Sequence, residues 1–300
     1  IRVQMVETED VKGRTAFYDD VGVIRDTMQN HLMIMLQLVA MDTSAGAAAS
    51  EEEARINVLK AIPTNKHVIE RLGQYRDYNK HVHDDAHGHG HHGHDHHDHD
   101  HHHHDSKTPT YARIAMRLGE PHKLAGVRVV FTSGKALKAR RAYVQVEFHS
   151  GDELTFNVQG DLHARDGFRV SGAAVYATRG LPPLEGVPSQ WVVDASGNGR
   201  YAVAPRDAPN AYQVLLLDAL EGRFDSFVKI PEVLEAWRLW DPVLKSIPDA
   251  VAKHPDLFVL YDHGGKGLDD VVNGGVPAHH HHHHGHVLDH HGHGKSRQEL

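Results

Sequence analysis

A basic cluster beside a glycine turn offers the clearest chemistry in this sequence. Ser133–Gly134 interrupts a stretch of alternating residues, and Lys135, Arg140 and Arg141 follow it closely. A tight turn would gather an ammonium and two guanidiniums near one point, where a guanidinium can fork two phosphate oxygens and the ammonium acts as a point charge. That chemistry suits a phosphate monoester. A solvated basic strand end explains the same pattern, and spacing alone favours it.

A second polar set lies within the long helical pattern of Ala16–Met41. One apolar stripe recurs there at three- and four-residue steps, which predicts an amphipathic helix that buries the stripe; its members are Ile24, Met28, Leu32, Met35, Leu36 and Val39. The polar residues beside it are Arg25, Asp26, Gln29, Asn30 and His31. Spacing alone favours an ordinary solvated face over an active site.

Composition indicates one globular core and two unusual segments. Of the 31 histidines, 24 lie in His81–His104 and His279–His293, and the remainder, roughly 240 residues, is enough for one substantial core. The formal charge of −8, with acidic residues spread along the chain, argues against a nucleic-acid partner. No apolar run is long enough to span a membrane, and the absence of cysteine excludes disulfides and cysteine metal sites.

Short alternating strands joined by close turns predict an antiparallel sheet rather than βαβ units. The predicted strands are Ile1–Glu7, 112–118, Ala142–Phe148 and Glu153–Val158. The predicted helices after the first are Glu51–Ile62, Ala211–Leu220 and one opened by Pro231, with Leu234, Trp237 and Leu244 directed inward. The fold class is therefore α+β, with a large, mostly antiparallel sheet flanked by helices.

Two long strings resemble the glucose-6-phosphate dehydrogenase family. GRTAFYDDVGVIRDTMQNHLMIMLQLVAM (Gly13–Met41) is similar to that family's GYFDxxGIIRDxMQNHLxQxLxLxAM, and Asn210–Leu244 is similar to DAYERLILDVxxG…FVRxDExxxAWRxxxPLL. The resemblance implies the C-terminal domain of such an enzyme over residues 1–268. A histidine-rich insert, 80–107, would interrupt this domain and a histidine-rich tail, 269–300, would follow it, both disordered because they lack apolar residues for a core.

The same resemblance implies an activity and site residues. The activity is NADP-dependent oxidation of a glucose or other hexose 6-phosphate at C1, and SGKAL and ELTFNVQ carry over the substrate-binding residues Lys135, Arg140 and Gln159. A second, structural NADP would contact Arg141 and Lys229, and the sheet would form a homodimer. The coenzyme domain and the histidine base would lie upstream of Ile1, so that the chain would be inactive alone. His31 would then pack and hydrogen-bond beneath the pocket.

The histidine-rich segments suggest a second class of function. Neutral imidazoles aided by aspartates can bind Zn²⁺, Ni²⁺ or Cu²⁺ with poor specificity, and the candidate ligands are His89, His91, His92, His94, His96 and His97. The alternative to part of a dehydrogenase is therefore a non-catalytic, dehydrogenase-derived domain that binds metal. A solvated linker explains the same composition.

The C-terminal residues Arg297–Leu300 resemble a KDEL-type retrieval signal. In addition, the strings SGKAL, GQYRDYNKHV and TPTYA resemble the hexose-6-phosphate dehydrogenases of the endoplasmic reticulum more than the cytosolic enzymes. Together these features predict the lumen of the endoplasmic reticulum and a KDEL-type receptor as a partner, with the cytoplasm as the alternative.

Overall fold

The protein folds as a wide sheet flanked by helices. The computed structural model describes residues 1–88, 105–163, 169–181, 192–193, 199–203 and 210–268. Its strands are β1 (Arg2–Val6), β2 (Val68–Tyr75), β3 (Tyr111–Arg117), β4 (Arg128–Gly134), β5 (Arg141–Glu147), β6 (Glu153–Gln159), β7 (Asp161–His163), β8 (Arg169–Ser171), β9 (Ala174–Thr178), β10 (Val192–Val193), β11 (Gly199–Val203) and β12 (Phe258–Tyr261). Its helices are α1 (Thr15–Val23), a π-helix (Ile24–Leu32), α2 (Met33–Ala40), α3 (Glu51–Lys60), α4 (Tyr78–Gly88), α5 (Ala211–Leu220), α6 (Ile230–Lys253) and a short 3-10 helix (Pro255–Leu257).

The main sheet has ten strands in the order β10-β11-β9-β6-β5-β1-β4-β3-β2-β12. Two neighbouring pairs, β1 with β4 and β2 with β12, are parallel, and the remaining pairs in this order are antiparallel. This confirms the predicted fold class.

The long helix near the N-terminus is not one regular α-helix. Gly22 breaks it with φ 61° and ψ 172°, a backbone conformation that is open essentially only to glycine. The next nine residues, Ile24–Leu32, then wind as a π-helix before α2 begins. The predicted apolar stripe is nevertheless buried at Ile24, Met28, Leu32 and Leu36, with Met35 and Val39 packed partly against the core.

The core lies between the helices and the apolar side of the sheet. Phe131 of β4 meets Trp240 of α6, with ring centroids 5.4 Å apart, and the buried Arg55 of α3 forms an ion pair with Glu232 of α6 at 3.2 Å. Both contacts fix α6 with Leu239, Trp240 and Val243 inward.

The predicted phase of α6 is wrong, because Leu234 and Trp237 are exposed and only Leu244 packs against the core. The helix carries apolar residues on two sides, so periodicity alone cannot tell which side faces the sheet.

The boundary of the first histidine-rich insert also differs from the prediction. Residues 80–88 are not disordered: they belong to α4, whose Asp85 accepts hydrogen bonds from the backbone N–H groups of Gly13 and Thr15. On the far side, the Ser106 N–H donates to Asn79 Oδ1 at 2.9 Å. The six proposed metal-ligating histidines and the tail 269–300 lie outside the described residues.

Helix α5 coincides with the predicted Ala211–Leu220, and Asn210 caps it by accepting from the Tyr212 N–H. Unlike the other long helices, it buries none of its side chains. Within the described ranges, no helix combines the length and apolar character needed to cross a bilayer.

Candidate functional site

Lys135 lies in a turn after β4 that backbone hydrogen bonds fasten to the end of β1. The Ala136 N–H donates to the Glu9 carbonyl and the Leu137 N–H to the Glu7 carbonyl, both at 2.8 Å. Gly134 is required there, because a Cβ would lie 2.7 Å from the ring of Tyr111. The next residue, Ala136, adopts a left-handed backbone with φ 54°, which is costly for a residue with a Cβ. The turn is therefore held in one shape by its surroundings.

The ammonium of Lys135 is buried and meets two carboxylates. It forms one close ion pair with Glu7 and a second with Asp26 Oδ2 at 2.8 Å, and it lies 6.0 Å from the ring centroid of Tyr18. A buried charge is tolerated only when it is paired. The site therefore combines one strong donor with two strong acceptors.

Asp26 and Glu7, the two carboxylates that meet Lys135, were not among the predicted site residues. Asp26 belonged to the polar set of the first helix, and Glu7 ends the first predicted strand, but neither spacing predicts contact with Lys135. The signal for Asp26 was the varied polar set beside an apolar stripe. For Glu7, no signal in the sequence indicates the contact.

Arg140 is half exposed and pairs with Glu9 Oε1 at 3.2 Å. The pKa of Glu9 is lowered by a hydrogen bond with its own backbone, by a second from the Thr8 hydroxyl, and by the charges of Arg140 and Lys135. Slight burial has the opposite effect on this pKa. Thus one segment, Glu7–Glu9, supplies a carboxylate to each of the two predicted phosphate-binding residues.

Gln159 is exposed at the end of β6, opposite Ala142 of β5. The next residue, Gly160, packs so closely on the carbonyl of Arg140 that a Cβ would overlap it. The sheet therefore brings Gln159 beside Arg140. Over the part of the chain that the structure describes, no hydrogen bond joins Gln159 to Lys135.

Arg141 and Lys229, the predicted contacts of a structural NADP, lie on different elements. Arg141 begins β5; its guanidinium stacks 4.6 Å from the ring centroid of Tyr143, and burial lowers its pKa. Lys229 precedes α6, and its ammonium donates to the Phe224 carbonyl at 2.7 Å. Both cationic groups already have partners within the protein, and their contact with a structural NADP stays a prediction.

The π-helix sets the environment of Gln29 and His31. Gln29 is buried, and its Oε1 has no hydrogen-bond partner among the described residues. His31 is exposed, and its backbone N–H donates to Asn30 Oδ1 at 2.6 Å. This exposure contradicts the predicted packing role of His31 beneath the pocket.

The last strand supports the lysine turn from the other side. The Tyr261 hydroxyl donates to the Lys135 carbonyl at 2.8 Å and bonds the Thr110 hydroxyl at 2.7 Å. The Gly264 N–H donates to the Ala136 carbonyl at 2.8 Å. Tyr261 and Gly264 therefore hold the turn of Lys135 in place.

A metal site is not built by the described residues: they contain no group of three His, Cys, Asp or Glu side chains arranged to hold an ion.

Comparisons with known proteins agree with this architecture. The sequence profile of the glucose-6-phosphate dehydrogenase C-terminal domain matches residues 1–275. The GDH/6PGL endoplasmic bifunctional protein of Oryctolagus cuniculus is 30% identical over 301 residues, covering 91% of this chain and 35% of that protein. Glucose-6-phosphate 1-dehydrogenase of Dictyostelium discoideum is 30% identical over 275 residues, covering 90% of this chain and 52% of that protein.

Solved structures share the fold. Glucose-6-phosphate dehydrogenase in complex with its substrate glucose-6-phosphate aligns with a TM-score of 0.57 at 23% identity, covering 90% of this chain and 53% of that one. Glucose-6-phosphate 1-dehydrogenase from Mycobacterium avium gives a TM-score of 0.55 at 21% identity, covering 88% and 52%.

These matches first define the class, the C-terminal domain of a dehydrogenase. In particular, the chain belongs to the glucose-6-phosphate dehydrogenase C-terminal domain family. It spans about a third to a half of the length of the curated relatives that it matches.

Proposed function

We propose that this chain is the substrate-binding and dimerising part of an NADP-dependent hexose-6-phosphate 1-dehydrogenase. The observation that carries the proposal is the buried ammonium of Lys135 between Glu7 and Asp26. Sugar hydroxyls donate to carboxylates and accept from an ammonium, and hydrogen bonds to charged groups are the strong ones. This cluster is therefore suited to hold a polyhydroxylated substrate in a single orientation.

The two basic residues have different tasks in this proposal. Two carboxylates offset the charge of Lys135, so its ammonium suits a neutral sugar oxygen better than a phosphate. Arg140 is half exposed and has one carboxylate partner, so its guanidinium can turn to the 6-phosphate. Gln159, which the sheet places beside Arg140, would contact the substrate at the same end.

The reaction oxidises the C1 hydroxyl of the sugar to a lactone. NADP, held by residues outside this chain, would accept the C1 hydrogen as a hydride, and the hydroxyl proton would pass to a base. The residues of this chain bind and orient the sugar, and the coenzyme is held by a domain outside this chain. We therefore expect the 300-residue chain alone to reduce no NADP.

The central test is calorimetric titration of the chain with glucose 6-phosphate. Lys135→Ala removes the ammonium donor. We expect the free energy of binding to weaken by about 1.5–3 kcal/mol, as for loss of a hydrogen bond to a charged group. Arg140→Ala should remove only the preference for glucose 6-phosphate over glucose. The matched control is Lys138→Ala, which changes an exposed lysine of the same turn and should bind as the unmodified chain does.

If the Lys135→Ala chain bound glucose 6-phosphate as tightly as the unmodified chain does, Lys135 would not be a substrate-binding residue. Because truncation leaves Glu7 and Asp26 as unpaired carboxylates, the free energy of unfolding is measured in parallel. The binding result then applies only to folded protein.

The sheet is also the proposed surface for a homodimer, as the resemblance implies. One side of the sheet is polar: Arg2 donates to Gln145 at 2.7 Å and forms an ion pair with Glu147 at 3.3 Å, and Tyr143 donates to Gln4 at 3.1 Å. Sedimentation equilibrium tests this surface. A dimer that Tyr143→Arg separates into monomers would support it, and a dimer insensitive to that change would assign the contact elsewhere.

We further propose residence in the lumen of the endoplasmic reticulum. Support comes from the endoplasmic relative named above and from the terminal residues Arg297–Leu300. Deleting these four residues should cause secretion of a lumenal protein by removing the contact with a KDEL-type receptor. A chain that stays in the cytoplasm with or without them would overturn this proposal.

A further inference from the structure

Two buried hydroxyls join the π-helix to β4. Thr27 Oγ1 lies 2.6 Å from Ser133 Oγ and donates to the Val23 carbonyl at 2.7 Å. A hydroxyl carries a single hydrogen, and Thr27 gives its hydrogen to Val23. Ser133 is therefore the donor to Thr27. The two bonds run in one direction, from the strand through Thr27 to the residue that precedes the π-helix.

These hydroxyls lie beside the ion pair of the candidate site. Thr27 directly follows Asp26, and Ser133 lies two residues before Lys135. The π-helix and the end of β4 thus meet twice, once through the hydroxyls and once through the 2.8 Å contact of Lys135 Nζ with Asp26 Oδ2. A change at the first contact is therefore transmitted directly to the second.

The two contacts differ in stiffness. Serine and threonine hydroxyls lie one bond beyond Cβ, so a bond between them fixes the distance between two backbones. A lysine ammonium, in contrast, stands on a flexible four-carbon stem. Ser133 is itself held in the interior of the sheet, opposite Met5 of β1 and Ala112 of β3. The hydroxyl contact therefore sets the position of the π-helix against a rigid strand.

Thr27 also acts on the winding of the helix. Its hydroxyl bonds the carbonyl four residues back, a local bond that competes with regular helical hydrogen bonding and often bends helices. This bond lies at the start of the π-helix, just after the break at Gly22. Because π-winding is rare and usually lasts a single turn, a nine-residue π-helix needs support from outside its own backbone.

Core packing alone does not explain the two hydroxyls. Their neighbours along the chain, Ile24, Met28 and Phe131, are buried and apolar. Replacing both partners of a buried hydrogen bond by apolar groups of the same shape is often nearly neutral. The best-attested use of buried polar groups is to fix one register between elements. The hydroxyls are therefore better explained by geometry than by stability.

We propose that Thr27 and Ser133 are positioning residues that hold Asp26 and Lys135 at ion-pair distance. The consequence for sugar binding rests on the proposed function, whereas the effect on the ion pair does not. Loss of the hydroxyls should therefore loosen the Lys135 ammonium although both charged side chains remain.

The first test follows the Lys135 ammonium by NMR in the 300-residue chain labelled with ¹⁵N-lysine. Its signal is assigned by its loss in Lys135→Ala, and its hydrogen exchange with water reports how often the local structure opens. We expect Ser133→Ala and Thr27→Val to speed this exchange by about fivefold or more, the factor for one hydrogen bond. Thr27→Ser keeps the hydroxyl and should retain slow exchange.

The matched control is Thr155→Val. Thr155 is equally buried, and its hydroxyl donates to Glu153 Oε1 at 2.9 Å, but it lies on β6, away from Lys135. Exchange at Lys135 should be unchanged in this variant. The double variant Thr27→Val/Ser133→Ala leaves neither hydroxyl unpaired and serves if a single variant does not fold. Unchanged exchange at Lys135 in the double variant would overturn the proposal.

The second test is calorimetric titration with glucose 6-phosphate. Ser133→Ala should weaken binding by about fivefold, but should add no further loss in an Asp26→Asn background, because the partner that it positions is already gone. An equal loss in both backgrounds would mean that Ser133 acts on the fold and not through Asp26. If the unmodified chain bound no glucose 6-phosphate, the proposed function would fail, whereas failure of the present inference appears in the exchange of the ammonium.

Discussion

At the scale of single residues, Lys135 and its partners show what a sequence can and cannot predict. Local spacing and family resemblance located the basic turn, because glycine and lysine are adjacent there. The carboxylates were missed, because Glu7 is 128 positions away and Asp26 belongs to a helix. Contacts at such separations depend on how the elements pack, which no local pattern records.

Tyr18 lies beneath Lys135, with the ammonium 6.0 Å from its ring centroid. Its side chain is buried, and the hydroxyl has no hydrogen-bond partner within the described ranges. Burial and then the charge of Asp26 raise the pKa of Tyr18 well above its ordinary value, so the hydroxyl stays protonated.

Tyr18→Phe should therefore stabilise the protein. An unsatisfied buried polar group costs about 1–3 kcal/mol, and the ring itself is retained, so we expect the free energy of unfolding to rise by about 1 kcal/mol in urea denaturation. Tyr212→Phe, at an exposed position, is the control and should change nothing. A loss of stability in Tyr18→Phe would mean that the hydroxyl has a partner.

At the scale of elements, the break at Gly22 and the π-helix after it position Asp26. Sequence periodicity predicted the buried stripe but not the change in winding, since the apolar spacing of a short π-segment differs little from that of an α-helix. The pattern of Ala16–Met41 predicted one continuous helix, so the break at Gly22 is a difference found in the structure.

Gly22→Ala should destabilise the protein. A Cβ at this position would lie 3.2 Å from Thr108 Cγ2, and the backbone conformation itself costs about 1–3 kcal/mol for other residues. The expected result is a fall of that size in the free energy of unfolding. Gly46→Ala, at a position with positive φ but no atom within 4 Å of the added Cβ, should cost less; equal losses would show that the contact with Thr108 contributes nothing.

The π-helix also suggests a role for His31. Hydrogen bonds between residues five apart place His31 one turn from Asp26, and its imidazole is exposed. In a complete dehydrogenase that contains this domain, we expect His31→Gln to lower kcat by about 10²-fold or more, as for loss of an acid–base group, without changing the free energy of unfolding. An unchanged kcat would leave the base in the upstream segment, as the resemblance implies.

Asp85 links α4 to the N-terminal loop and makes the free energy of unfolding depend on pH. The pKa of Asp85 is lowered by hydrogen bonds from the Thr15 hydroxyl and from the backbone N–H groups of Thr15 and Gly13. Slight burial raises this pKa, but by less. A carboxylate with a lowered folded pKa stabilises the protein above its unfolded pKa, and this contribution is lost as pH falls through the folded value.

Asp85→Asn should therefore lower the free energy of unfolding at pH 7 and at pH 5 by the same amount, and the difference from the unmodified protein should shrink below about pH 4. Urea denaturation of both proteins at several pH values measures the loss of stability and its decrease at low pH. Asp84→Asn, at the exposed neighbouring position, is the control. A difference that stays constant as the pH falls from 4 to 2 would show that the carboxylate charge is not responsible.

At the scale of the whole molecule, closely spaced strands predicted a mostly antiparallel sheet, and the structure confirms this. Local patterns did not predict the two parallel pairs, because each joins strands that are far apart in the chain. Local patterns also predicted the bounds of α5 correctly. They did not predict its exposure, because burial of a helix depends on residues distant in the chain.

Tyr261 connects this long-range pairing to the site. Tyr261→Phe removes the donor to the Lys135 carbonyl and the bond to Thr110, so we expect the free energy of unfolding to fall by about 1–3 kcal/mol and the affinity for glucose 6-phosphate to fall with it. Calorimetry and urea denaturation test both effects. A stability loss with unchanged affinity would separate the support of the sheet edge from that of the substrate site.

The parallel pairing of β12 with β2 has a consequence for biosynthesis. Phe258–Tyr261 completes the edge of the sheet beside Val68–Tyr75, so a chain still emerging from the ribosome carries an open strand edge over most of its synthesis. Open edges pair readily with other chains, and domains fold as units once their residues are available. A transcript that ends before Phe258 would therefore yield an aggregation-prone product in which the turn of Lys135 lacks its last support.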